Sequence, residues 1–408
     1  MNDRLRDLGE FPLIARLTRG LSFSVSSGVE LGPGDDAAVL RPTPGARIVA
    51  TADLLVQDIH FTLATPLFFT GWRTLAAGLS DLAAMGAVGR WFLLTMAVPG
   101  DWPVKRVEDF YAGLQALGAL QGVHLVGGDV TASPAAAVFD LLALGELPVD
   151  RPAYRRSGAR PGDWVICTGH PGDAAAGLAL LLTGQAGAPD RSDPEKAAVP
   201  AVTGGPTSGP GTEGTSNRRG TATRARQELT ALALQIAARL AQGEHAGTLP
   251  VAVLESLLAK HLLPLTRLAE MPRLSAQLEI HAANDISDGV AREAHELALA
   301  SGATLELFPV VFPLSAAART AAQYLGRDPV NWFLAGGEDY ELLLTVKPLP
   351  GYPPDFLGPL PLRLTDLNGQ AVPLTVIGRV TAVDATPGVW QVTPGGKMRL
   401  NPLGYSHF

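Results

Sequence analysis

The chain has 408 residues, 47% of them hydrophobic, and a formal net charge of −7. It is long enough for two cores, and it lacks the clustered Lys and Arg with which nucleic acids and anionic membranes are met. Cys167 is the only cysteine, which excludes an intrachain disulfide and a thiolate-rich zinc site and fits a reducing, cytoplasmic setting.

The opening "MNDRLRDLGEFPLIARLTRG" breaks its apolar positions with charge, unlike a signal peptide, and no apolar run reaches the length of a membrane span. Within it "EFPLIARL" has helical spacing. "GDDAAVL", residues 34–40, then sets a glycine turn and two carboxylates, Asp35 and Asp36, ahead of a strand pattern. "ARIVATADLLV" reads as a strand carrying Asp53, and "GWRTLAAGLSDLAAMGA" as an apolar helix with Asp81 inside it, where a carboxylate is costly unless paired. "RWFLLTMAVP" predicts a buried strand, "VEDFYAGLQALGALQG" a helix, "VHLVGGDVT" a strand running into a Gly-Gly-Asp turn, and "AAAVFDLLALGEL" another strand.

The Pro, Gly and Arg-rich segment from Pro148 to Gly162 marks a boundary, giving an N-terminal domain over 1–150 and a C-terminal one over 151–408. "GDWVICTGHPGDAAAGLALLL" opens the second with strand, glycine turn and helix. Its turn offers free N–H groups to a phosphate or is a tight turn capped by Asp173. Residues 185–226 lose all periodicity and are expected to be a disordered insertion. Two helical patterns follow it, then the strand "LEIHAAND", the helix "DGVAREAHELALASG", and strands in "ATLELFPV", "GGEDYELLLTV" and "VPLTVIGRV". Strands and helices mix without strict alternation or repeat, so the fold class is α+β, with two mixed α/β domains.

Asp and Glu recur at strand ends, in turns and in that apolar helix: Asp35 and Asp36, Asp53, Asp81, Asp129, Asp285 and Asp288, Glu338 and Asp339. These are the hard oxygen ligands of Mg2+. Ordinary Gly-Asp turns and a helix cap at "NDISDG" explain the same residues singly, and spacing alone leaves their convergence open.

Taken in order, "GDDAAVL", "TADLLVQDIHF", "LSDLAAMGA", "GGDVT", "RRSGARPGDWV", "GHPGDAAAGLALL", "NDISDG", "GGEDYELLLTV" and the closing "GYSHF" resemble the thiamine-monophosphate kinase family, over nearly all the chain except about residues 185–260. The resemblance implies the aminoimidazole ribonucleotide synthetase-like fold, with N-terminal sheets that pair in a homodimer. It also implies ATP-dependent phosphorylation of thiamine monophosphate to thiamine diphosphate. Carried over motif by motif, Asp36, Thr51, Asp53, Asp81, Asp129, Asp285 and Asp288 would hold Mg2+; Tyr111, Gly128, Asp129, Arg156 and Ser287 would meet ATP; His60, Glu338 and Tyr405 would meet the thiamine substrate. Ala52, Val130 and the "HLLPLTR" turn, whose basic contribution is reduced to Arg267, depart from the family pattern.

Such a reaction suits the residues. The acceptor is a phosphate whose second proton leaves near pH 6, so no acid–base residue or protein nucleophile is required, and the chain offers no convincing nucleophile–histidine pair. Asp129 and Arg156 would act electrostatically. The alternatives are another superfamily member, such as aminoimidazole ribonucleotide synthetase, or a non-catalytic nucleotide and metal sensor. A selenophosphate synthetase should carry a reactive Cys or selenocysteine near its start and the hydrogenase maturation protein a terminal Cys, whereas here no Cys precedes position 167 and the last residue is Phe408.

Overall fold

The strands are of two kinds, and each kind builds its own sheet. In the computed structural model, which describes residues 4–185, 215–240, 249–383 and 386–404, the short helices α1 (Leu5–Leu8) and α2 (Glu10–Leu17) come first, followed by a ladder of β1 (Val29–Leu31) and β2 (Val39–Leu40). A four-stranded sheet follows, made of β3 (Ala46–Val56), β4 (Val88–Pro99), β5 (His124–Ser133) and β6 (Val138–Pro148) in the order β3-β6-β4-β5. All its pairs are antiparallel except β4 with β5.

Side chains alternate across this sheet with the two-residue period of a strand. Leu55, Phe139 and Met96, adjacent in register, are buried, while the neighbouring row of Leu54, Asp140 and Thr95 is exposed. The buried face lies under α3 (Leu67–Ala84) and α4 (Val104–Gln121). These two helices meet backbone to backbone, because a Cβ on Gly71 would fall 1.9 Å from the Phe110 carbonyl oxygen and one on Gly113 1.8 Å from that of Phe68. The opposite face leaves Ile48, Leu54, Val88 and Leu142 exposed.

The second sheet consists of β7 (Trp164–Thr168), β8 (Ile280–Ile286), β9 (Thr304–Leu307), β10 (Glu341–Val346), β11 (Gly358–Leu360), β12 (Leu374–Thr381), β13 (Gly388–Thr393) and β14 (Gly396–Leu400). Their order is β14-β13-β9-β12-β7-β10-β8, with β11 beside β12. β7 and β10 are buried at every position, because helices cover both faces. Trp164, Ile166, Leu342 and Leu344 enter one core with α5 (Asp173–Gln185), α6 (Thr215–Leu240), α7 (Val251–Leu262), α8 (Met271–Gln277) and α10 (Ala316–Leu325). That core continues without a break into the N-terminal sheet. Val165, Cys167 and Leu343 point the other way, against α9 (Val290–Ser301) and α11 (Pro329–Ala335). The chain thus adopts the mixed α+β architecture that its pattern predicts.

Two local readings change. The Gly-Gly-Asp stretch is not a turn: Gly127, Gly128 and Asp129 lie inside β5, whose pairing with β4 runs on to Ser133. Glycine is needed there because a Cβ on Gly128 would sit 1.8 Å from the Leu94 carbonyl oxygen. The helix α6 starts at Thr215, inside the stretch 185–226, and the rest of that expected insertion, residues 186–214, lies outside the described residues.

Gly71→Ala should destabilise the chain by about 3 kcal/mol, through backbone overpacking, although alanine is the better helix former by about 1 kcal/mol. Urea denaturation measures this, and a more stable variant would show that α3 and α4 do not touch there.

Candidate active site

The site is organised by one face of α3. Arg73, Ser80 and Asp81 are seven and eight residues apart, two helical turns, and project from the same side. Thr51 Oγ1 on β3 donates to Asp81 Oδ2 at 2.5 Å, and Ser80 Oγ donates to Asp285 Oδ2, at the end of β8, at 2.8 Å. Asp53, two residues along β3 from Thr51, faces the same helix, with its Oδ2 3.5 Å from where a Gly78 Cβ would stand.

Three carboxylates from three elements therefore share one partly dry space. Asp53 Oδ2 is buried without a hydrogen-bond partner. Burial, reinforced by the charges of Asp81 and Asp140, pushes the Asp53 carboxyl up to about 7. Burial also raises Asp81 against the opposing pull of the Thr51 hydroxyl and Arg156, and it raises Asp285 well above the carboxylate range, with Asp81 and Glu293 adding to the effect. Among the described residues no three His, Cys, Asp or Glu side chains chelate a single point. A hard cation at Asp53, Asp81 and Asp285 would complete its shell with other oxygens, as Mg2+ does with water and phosphate.

The "NDISDG" segment adjoins this group. Asp288 does not cap the following helix with its side chain; the cap residue of α9 is Gly289. Glu293 reaches back instead and accepts from the Asp288 N–H at 3.1 Å, while its other oxygen accepts from Asn284 Nδ2. Asn284 Oδ1 in turn accepts from Arg156 Nε at 3.1 Å. Burial pushes Glu293 up to about 7. Asp288 also pairs with Arg292 at 3.3 Å, and the Ser287 carbonyl accepts the Glu338 N–H at 2.8 Å, which brings the "GGEDYE" segment alongside.

His60 and Glu338 meet through Arg73, whose guanidinium donates to the His60 carbonyl oxygen at 3.1 Å and to the Glu338 carboxylate. His60 Nδ1 accepts from the Val56 N–H at 3.0 Å, which leaves the ring proton on Nε2. The sequence reading did not single out Arg73, Ser80, Asn284 or Glu293. For the first two the available signal was polar residues repeating at a two-turn interval in an otherwise apolar helix.

Other expected residues stand apart. Asp129 shares an exposed register row with Thr95 and Asp140, whereas Asp53 shares the adjacent, helix-facing row with Leu141, Leu94 and Gly128. Within one chain the sheet therefore separates Asp129 from Asp53. Asp36 is exposed between β1 and β2, its N–H held by Asp35 Oδ1 at 2.9 Å. Tyr111, on α4, is 7% exposed in the core, against Phe110. Tyr405 lies outside the described residues.

The glycine turn before α5 and the basic residue of the "HLLPLTR" turn are both already occupied by carboxylates. The N–H groups of Gly172 and Ala174, at the start of α5, donate to the buried Asp339 carboxylate at 2.7 and 3.0 Å, so this helix end is already filled by an anion. Asp173 is not its cap and accepts from Ser315 Oγ at 2.6 Å instead. Arg267 is likewise committed: its guanidinium forks onto the Glu341 carboxylate, which also accepts from Thr168 Oγ1 at 2.6 Å.

A carboxyl raised in the folded state binds protons that the unfolded chain has already released. Asp53 therefore leaves stability intact below about pH 4 and erodes it as pH rises toward about 7. Thermal melts without added metal should show a smaller loss from about pH 5 to about pH 8 for Asp53→Asn than for the unaltered chain. Parallel curves would show that Asp53 is not held in a dry, like-charged site.

Comparison with known proteins shows the family. Residues 34–147 match the AIR synthase related protein N-terminal domain family. The thiamine-monophosphate kinase of Escherichia coli strain K12 is 30% identical over 400 residues, covering 98% of each chain, and that of Bacillus subtilis strain 168 is 28% identical over 403 residues, 98% of this chain and 100% of the other. The structure of AaThiL complexed with AMPPCP and TMP superposes with a TM-score of 0.62 at 26% identity, covering 100% of this chain and 99% of that one. The chain belongs to the thiamine-monophosphate kinase family of enzymes.

Proposed function

We propose that the chain transfers the γ-phosphoryl group of ATP directly to thiamine monophosphate, giving thiamine diphosphate and ADP, with Mg2+ held by aspartates. The observation that carries this reading is the group of half-buried Asp53 and Asp81 with buried Asp285, each raised by burial, with one oxygen of Asp53 unpartnered. AaThiL, 26% identical, is described in complex with AMPPCP, an ATP analogue, and TMP, which supports the same pair of reactants here.

An oxygen of the substrate phosphate forms the new bond to the γ-phosphorus as the bond to the ADP oxygen breaks. That oxygen is already largely ionised at neutral pH. The task left to the protein is to bring two polyanions together and hold them in line. Mg2+ would supply positive charge to their phosphate oxygens, with Thr51 and Asp288 assigned beside the three carboxylates; Asp36 and Asp129, which stand apart from them within one chain, are left out of that group. Arg156, oriented by Asn284, meets the ATP phosphates together with Gly128 and Ser287. The His60 Nε2 proton, the Glu338 carboxylate and Tyr405 meet the thiamine moiety. Tyr111, buried on the core face of α4, is left out of this reading.

A homodimer through the N-terminal sheets is supported by the exposed apolar residues Ile48, Leu54, Val88 and Leu142 on the open face. Leu54 alone is 52% exposed. Asp129 stands on that same face, so pairing would place it in the interface.

Incubation with ATP, MgCl2 and thiamine monophosphate should yield thiamine diphosphate, and Asp53→Asn should lower kcat at least ~100-fold. ATP binding without product would sink the proposal in favour of a sensor. Leu142→Arg should convert a dimer to a monomer in analytical ultracentrifugation. An unaltered chain that sediments as a monomer would remove the pairing of sheets.

A further inference from the structure

Arg73 is 4% exposed, in the middle of α3, where a guanidinium is costly to bury without partners. Its Nη2 donates to the His60 carbonyl and to Glu338 rather than to Asp81, two turns further along the same helix, while its Nε is buried without a partner. Glu338 is unlike its partner: its side chain is 29% exposed, and its backbone sits in the left-handed region at φ 64, as does Tyr340 at φ 51, a conformation that non-glycine residues hold only where surrounding contacts enforce it. Behind it, buried His261 places Nδ1 3.4 Å from Glu338 Oε2. Burial and the Arg73 charge push His261 down to about 3, so it is neutral. Burial works to raise Glu338, but the Arg73 charge and hydrogen bond outweigh it and keep the carboxylate ionised. A buried guanidinium is thus invested in one accessible carboxylate, with the neutral His261 ring packed behind it.

We infer that Arg73 is a positioning residue for the thiamine substrate, fixing the turn that carries His60 and the strained segment that carries Glu338 so that both meet the same molecule. This rests on the reading above that His60 and Glu338 contact thiamine monophosphate. Both bonds leave from the Arg73 Nη2 amino group, whose two N–H directions are fixed in the guanidinium plane, whereas a lysine ammonium carries its charge on a freely rotating group. Charge alone, supplied by lysine, therefore preserves the fold and loses the alignment.

The test is steady-state kinetics of the full chain and Arg73→Lys, with thiamine monophosphate and ATP varied separately and melting temperature recorded. The expected result is a melting temperature close to that of the unaltered chain, a KM for thiamine monophosphate raised at least ~10-fold and a KM for ATP within about twofold. In a Glu338→Gln background the Arg73→Lys change should add little to KM, because the two share one interaction. Unchanged KM values, equal rises for both reactants, additive effects in the double variant, or failure of Arg73→Lys to fold would each overturn the inference. No conversion of thiamine monophosphate by the unaltered chain would overturn the functional reading itself, whatever the variants do.

Discussion

Everything around the site answers to the burial of like charges. Two carboxylates about 4 Å apart repel by roughly 4 kcal/mol at an effective dielectric near 20, and Asp53, Asp81 and Asp285 are brought together from β3, α3 and β8. The fold tolerates this because Thr51 and Ser80 donate hydroxyls to two of them and Arg156 lies close enough to draw the Asp81 carboxyl back down. What remains uncompensated is concentrated on Asp53. A protein interior that leaves one carboxylate oxygen unsatisfied, with hydroxyl donors next to it, is arranged to receive positive charge.

The "GGEDYE" segment shows how neighbouring acids acquire unrelated tasks. Glu338 lies half-accessible beside Arg73, Asp339 closes the start of α5, and Glu341 is sealed in an ion pair with Arg267. Left-handed backbone at Glu338 and Tyr340 turns the three side chains in different directions before β10 begins. One motif thus sets a carboxylate beside Arg73, the packing of α5 and the contact of the turn after α7 with the second sheet.

The sequence was most legible where a local pattern carried the physics. The two-residue alternation of "ARIVATADLLV" and the apolar run "ELLLTV" foretell a sheet open on one face and a sheet covered on both, as β3 and β10 show. Asp81 in an apolar helix signalled a partner, found in Thr51. Patterns failed where the deciding contact was distant. Glycines in "GGD" read as a turn because turns favour glycine, yet here they admit the backbone of β4. The anion at the start of α5 belongs to a residue 167 positions away, and Arg267 is neutralised by Glu341, 74 positions distant. No window of sequence contains such pairs.

The contact of Gly71 with Phe110 and of Gly113 with Phe68 bears on how the molecule handles its reactants. Main chains in direct touch have no compressible side-chain layer between them, so α3 can neither roll nor slide against α4 without separating altogether. The spacing of Arg73, Ser80 and Asp81 is then a fixed ruler, and whatever shape change accompanies loading and release is borne outside the helix pair, as in the segment 336–340, whose Glu338 rests against Arg73.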